Sequence, residues 1–73
     1  GEIGDIPTTE TETFARTYIE ILKSKSQPSR MFATYALGKI GSVKGLEIAL
    51  RDKNEFVRNE AKEALKKLGH EAK

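Results

Sequence analysis

Four cations at matched positions of this 73-residue sequence could bind negatively charged groups. When the chain is shifted by 28 residues, Arg16 falls on Lys44 and Lys23 falls on Arg51. In each half the two cations are seven residues apart, a spacing that places both on one face of a helix. Two such helices side by side would present four positive charges together. This surface is a candidate site for docking an acidic protein or for binding phosphates.

A second interpretation of the same four cations is an ordinary solvated surface. Cations near the end of a helix, such as Lys23 and Arg51, complement the negative end of the helix dipole. The acidic residues Glu20 and Glu47 lie among the four cations and weaken their positive potential. The pattern favours the solvated surface and leaves docking as the functional alternative.

Arrangements typical of catalysis or metal binding are absent from the sequence. The chain has no cysteine, and its single histidine, His70, excludes any site that needs two histidines from one chain. Gly38-Lys39 is followed by Ile40, whereas a phosphate-binding loop needs a serine or threonine there. We interpret His70 as a solvated residue of the C-terminal tail. The sequence therefore predicts no catalytic residue, no cofactor and no metal ligand, and a protein that is not an enzyme.

Composition and charge predict one small folded domain. With 37% apolar and 33% charged residues, the chain has the balance of a folded protein rather than a disordered one. No apolar run approaches the roughly 20 residues that span a bilayer, and no signal-peptide pattern is present, so we expect a cytoplasmic protein without a membrane partner. The net charge is +2, and no block of five like charges occurs, so a nucleic-acid partner is not expected.

Apolar residues recur at helical spacing in every periodic segment, and no segment alternates as a strand would. The predicted elements are helices over 9–25, 28–41, 43–52 and 55–69, with the end of a truncated repeat and a loop over 1–8 and a tail over 70–73. The helix limits rest on capping residues, prolines and glycines: Thr9, Pro28, Ser42 and Asn54 at the starts, and Gly41 and Gly69 at two of the ends.

The predicted helices form an internal repeat. The same 28-residue shift lays the segment 30–41 on the segment 58–69, with six of twelve positions identical. Leu37 and Leu65 occupy one of the shared positions and are predicted core residues. Two kinds of short helix that alternate at a period near 30 residues are typical of an α-solenoid.

Three segments of the repeat resemble a known family. Ala36-Leu-Gly-Lys-Ile-Gly41, Leu46-Glu-Ile-Ala-Leu-Arg-Asp-Lys-Asn54 and Val57-Arg58 are similar to the short HEAT-like repeat named after phycobilisome lyases. The resemblance implies an all-α fold without strands, an α-solenoid of HEAT-like helical hairpins. The resemblance itself says little about function, because such repeats serve many unrelated assemblies. A solenoid presents a broad, rigid surface, and recognition needs no buried catalytic pocket, so we expect non-catalytic protein recognition or scaffolding.

The resemblance also implies a structural role for three charged residues. In similar repeats, an arginine at the position of Arg30 and Arg58 joins an aspartate of the preceding loop in a ladder along the stack. Asp52 is that aspartate for Arg58, whereas Arg30 has Ser24 in its own loop. We therefore expect Arg30 to reach Asp52, as part of a structural ladder rather than a binding site.

Two other functions follow from related proteins that share such repeats. One is an accessory part of an enzyme that resembles the phycobilin lyases, although no bilin-specific residue is present. The other is a nucleic-acid binder similar to the HEAT-like alkylpurine glycosylases. The acidic residues Glu20 and Glu47 on the helices of the predicted cation surface argue against the second function.

The two ends of the repeat array differ in polarity. The second helix carries apolar residues where the last helix is polar: Met31, Phe32 and Tyr35 correspond to Asn59, Glu60 and Glu63. We expect Phe32 and Tyr35 to pack in a core between repeats and the last helix to be a C-terminal cap. Because the chain begins at Gly1 and its only methionine is Met31, we expect a piece of a longer protein. The first two helices carry apolar residues on more than one face, so we expect the N-terminal edge either to self-associate or to lie against another chain.

Overall fold

The computed structural model describes the backbone of residues 2–69 and the side chains of residues 11–69. Four helices follow one another: α1 (Glu2–Ile21), α2 (Gln27–Ile40), α3 (Val43–Ala49) and α4 (Glu55–Lys67). The described residues contain no strand. The predicted all-α class is therefore confirmed, and the limits of α2, α3 and α4 lie within three residues of those predicted.

Helix α1 differs from the prediction at both of its ends. It begins at Glu2, where the sequence predicted a loop through Thr8. A proline has no amide hydrogen and therefore removes one helical hydrogen bond. Pro7 lies within the first two turns of α1, close to the first amides of the helix, which have no helical partner in any case. The helix ends at Ile21 rather than near residue 25, because the amide of Ser24 bonds the carbonyl of Ile21, three residues back, in a tighter turn.

Side-chain caps define the other helix starts. Ser26 caps α2 by accepting a hydrogen bond from the amide of Ser29, and Ser42 caps α3 by accepting one from Gly45. Asn54 caps α4 and accepts from the amides of both Phe56 and Val57, at 2.8 and 3.1 Å. Each cap satisfies amides that the first turn of a helix leaves without partners. The predicted caps Ser42 and Asn54 are confirmed.

Helices α2 and α3 are central to the fold, because each contacts the other three helices. The core is formed by small and aliphatic side chains of α2, α3 and α4: Ala33, Ala36, Leu37, Leu46, Ala49, Val57, Ala61, Ala64 and Leu65. Helix α1 and the turn after it cover this core with the half-buried side chains of Ala15, Tyr18, Ile19 and Leu22. Burial of Leu37 and Leu65 at equivalent positions agrees with the predicted repeat.

The approach of α2 to α4 depends on a glycine. A Cβ atom added at Gly38 would lie 3.0 Å from the Cβ of Ala64, closer than side chains normally pack. Small residues on both helices therefore set their separation.

Among the residues that the structure describes, no helix combines the length and the apolar character needed to cross a bilayer.

Candidate functional site

Three of the four predicted cations lie together on the surface between α1 and α3. Arg16 and Lys44 line one cavity of about 520 Å³. Lys44 and Arg51 line a second cavity of about the same volume. Lys44 belongs to both cavities, so the two form one continuous surface, which we call the α1–α3 face.

Lys23, the fourth predicted cation, does not line either cavity. Its Nζ atom lies 3.4 Å from a carboxylate oxygen of Glu20, three residues back in the last turn of α1. Both side chains are exposed, so this ion pair contributes little stability, but it neutralises the charge of Lys23 locally. The predicted group of four cations is therefore a group of three.

Ile48 lies at the centre of the α1–α3 face. Ile48 is 42% exposed and lines both cavities. Apolar side chains surround it: Ala15 and Ile19 from α1, Leu22 from the turn that follows α1, and Ala49 from α3. Ile48 was not among the predicted site residues, because it lies off the inward stripe of α3. Its position four residues after Lys44, on the same helical face, is the signal that could have identified it.

The charges of the α1–α3 face are available to a partner. Arg16, Lys44 and Arg51 are all exposed, and none of them forms an ion pair with another described residue. Glu12 lines the first cavity and Glu47 the second, so the positive charge is interrupted by carboxylates. The face can dock a partner through an apolar centre and separate charge pairs.

No group of three or more histidine, cysteine, aspartate or glutamate side chains that could hold a metal occurs among the described residues. His70, which we predicted to be a solvated tail residue, lies outside the described residues.

Arg30 and Asp52 form a buried ion pair beside the α1–α3 face. The Nε atom of Arg30 donates to Oδ2 of Asp52 at 2.8 Å, and the two side chains are only 6% and 7% exposed. The other carboxylate oxygen of Asp52 accepts from the amide of Asn54 at 2.8 Å. The expected contact between Arg30 and Asp52 is therefore present. A pair this deeply buried fixes loop geometry, in agreement with the predicted structural role.

Arg58, the third predicted member of the ladder, binds Asp52 differently. Its guanidinium donates to the backbone carbonyl of Asp52 at 2.8 Å, and its side chain is exposed. The carboxylate of Asp52 is left for Arg30. Asp52 thus connects α2 with the start of α4 through three different oxygen atoms.

The aromatic residues of α2 do not pack in the core as we predicted. Phe32 is 58% exposed and Tyr35 is 52% exposed, because no described element covers their side of α2. On the neighbouring helix α1, Phe14 is 54% exposed. The rings of Tyr18 and Phe32 meet edge to face, with centroids 5.9 Å apart. We call Phe14, Tyr18, Phe32 and Tyr35 the aromatic face.

Comparisons of the chain with protein-family models, with curated proteins and with solved structures give no match. The likeness to HEAT-like repeats therefore rests on the sequence motifs alone.

Proposed function

We propose that the chain is a non-catalytic protein-recognition or scaffolding module of the cytoplasm, built from HEAT-like repeats. The observation that carries the proposal is the α1–α3 face, in which Ile48 is exposed between three cations that form no ion pair with another described residue. An apolar side chain at the centre of a polar rim is the usual arrangement of a protein-binding surface.

The physical argument for binding has two parts. Covering the exposed part of Ile48 removes apolar surface from water, which favours association. Opposite charges on a partner would be attracted by Arg16, Lys44 and Arg51, which raises the rate of encounter and sets the orientation of docking. Two neighbouring helices of a folded domain hold these groups at fixed positions, so little conformational entropy is lost on binding.

The experiment that tests this function is affinity capture with two variants of matched charge. In Lys44→Glu/Arg51→Glu the two cations of α3 and its following turn are reversed. In Lys62→Glu/Lys66→Glu two exposed cations on the outer side of α4 are reversed, so the net charge changes by the same amount. Circular dichroism checks that both variants keep their helices.

We expect specific proteins to bind the wild-type chain and the α4 variant but not the α3 variant. Capture of the same proteins by all three chains would contradict a role for the α1–α3 face. A bilin that changes its absorbance when it is titrated with the chain would support the phycobilin lyase-like alternative. Loss of capture after nuclease treatment would support the nucleic-acid alternative.

A further inference from the structure

We infer that the partner of the α1–α3 face is a short acidic amphipathic helix of another protein. In this arrangement the helix places an apolar side chain on Ile48 and one carboxylate on each side of it. The inference rests on the proposed function, because it names the partner of the same face.

The spacing of three residues on α3 and its following turn determines the partner's pattern. Lys44, Ile48 and Arg51 are at positions i, i+4 and i+7, and all three line one cavity. Seven residues of an ideal helix rise about 10 Å, which gives the scale of the partner's spacing. Arg51 lies in the turn after α3, where its amide bonds the carbonyl of Ile48, so the two cations flank Ile48 in sequence. A helix with acidic residues at i and i+7 and apolar residues at i+3 and i+4 matches this spacing in either direction.

Helix α1 supplies the second wall of the binding surface. Ala15 and Ile19 line the first cavity, and Leu22 lines the second, so the surface beside Ile48 is apolar. Arg16 stands with Lys44 at the first cavity, where it adds a second cation for the carboxylate at that end. A groove between two helices with an apolar floor accepts the apolar side of a third helix.

The distribution of charge favours separate carboxylates over a continuous polyanion. Glu12 and Glu47 lie in the first and second cavities, where they would repel the closely spaced phosphates of a nucleic acid. The carboxylate of Asp52 is already bound by Arg30 and is not free to compensate Arg51. A partner with acids at two points can meet the cations and avoid the two glutamates.

The experiment measures binding of designed peptides to the full chain by fluorescence anisotropy. The test peptide is an alanine- and glutamine-based helix of about 16 residues, long enough to be helical in isolation. It carries glutamates at i and i+7 and leucines at i+3 and i+4. One control peptide has the same composition with the glutamates and leucines on different sides of the helix, and another has glutamine for both glutamates.

We expect the test peptide to bind the wild-type chain. Each control peptide is expected to bind with an affinity at least about tenfold lower. Lys44→Glu/Arg51→Glu is expected to weaken binding of the test peptide by about tenfold, and Lys62→Glu/Lys66→Glu to leave it unchanged. Ile48→Ala tests the apolar contact without a change of charge and is expected to weaken binding while the salt dependence is kept.

Equal binding of the test peptide and the peptide with rearranged residues would overturn the inference. Non-specific attraction between opposite charges would then explain the binding of both peptides. Tighter binding of single-stranded DNA of the same charge would also overturn it, in favour of nucleic acid. If affinity capture depends on Lys44 and Arg51 but the test peptide does not bind, the proposed function stands and the inferred helix is wrong. If neither experiment depends on these cations, both proposals fail.

Discussion

The connections before α2 and before α4 have equivalent places in the two halves of the chain, yet only one of them ties the halves together. In the first connection the hydroxyl of Ser24 accepts from the amide of Ser26 at 3.0 Å. In the second, 28 residues later, one carboxylate oxygen of Asp52 accepts from the amide of Asn54 at 2.8 Å. A hydroxyl and a carboxylate thus build the same turn.

The arginines that follow these connections repeat the same contact. Arg30 donates to the carbonyl of Ser24 at 2.9 Å, and Arg58 donates to the carbonyl of Asp52 at 2.8 Å. The difference is the second carboxylate oxygen of Asp52, which a serine cannot supply and which binds Arg30. Local turn geometry therefore needs only one acceptor, whereas the connection between the halves needs the carboxylate.

Replacement of Asp52 is expected to have the largest effect on stability. Asp52→Ala leaves the buried guanidinium of Arg30 without its counter-charge, which costs about 3–5 kcal/mol. The matched change Ser24→Ala removes one neutral hydrogen bond and is expected to cost about 1 kcal/mol. Chemical denaturation of both variants measures the two losses. Equal losses would show that the turn, rather than the ion pair, is the source of the stability.

The two equivalent leucines sharpen the comparison within the core. Leu37→Ala and Leu65→Ala are each expected to lower the free energy of unfolding by about 2–5 kcal/mol. We expect Leu37 to give the larger loss, because α2 contacts all three other helices. Leu68→Ala, at a leucine that is 39% exposed, is the control and is expected to give a smaller loss. Denaturation that shows under about 0.5 kcal/mol for Leu37 or Leu65 would place that leucine outside the core.

Substitution of the glycines that follow α2 and α4 compares the cost of backbone strain in the middle of the fold with its cost after the last helix. Gly41 and Gly69 have φ values of 76° and 84°, in the left-handed region. An alanine there costs about 1–2 kcal/mol in backbone strain. Gly41→Ala is expected to show this loss in thermal unfolding, since Gly41 and Ser42 both bond back to α2 and lead directly into α3. Gly69→Ala is expected to lose less, because the last turn of α4 can fray to relieve the strain. Equal melting temperatures for the two variants would contradict this difference.

The outer sides of α2 and α4 differ in their ability to associate. The aromatic face carries Phe32 and Tyr35 where α4 has Glu60 and Glu63. We expect the chain to self-associate through the aromatic face, without a change in helix content, because exposed aromatic clusters favour contact with a second copy. Sedimentation of the wild type and of Phe32→Glu measures the effect.

Phe56→Glu is the control for this prediction, because Phe56 is the most exposed phenylalanine and lies at the start of α4. A wild-type chain that remains monomeric at millimolar concentration would contradict self-association. Dissociation by both variants would show that the contact is not specific to the aromatic face.

Much of the fold could be predicted because its signals are local. Ser42, Asn54 and Gly41 act within one turn of their own positions, so their roles follow from residue type and spacing. The exposure of Phe32 could not be predicted in this way, since it depends on whether another element covers that side of α2. Lys23 was assigned to the cation surface from helical spacing alone, which does not show that Glu20, three residues away, is its ion-pair partner.

Helix α1 has a further consequence for the motions of the molecule. None of its described side chains is fully buried, and it contacts α2 and α3 but not α4. Release of α1 therefore leaves the contacts among α2, α3 and α4 in place, so its amide hydrogens should exchange with solvent through partial opening. The amides of α2 and α4 should exchange only when the whole domain unfolds. A partner bound across α1 and α3 would close this opening and slow exchange in α1 most of all.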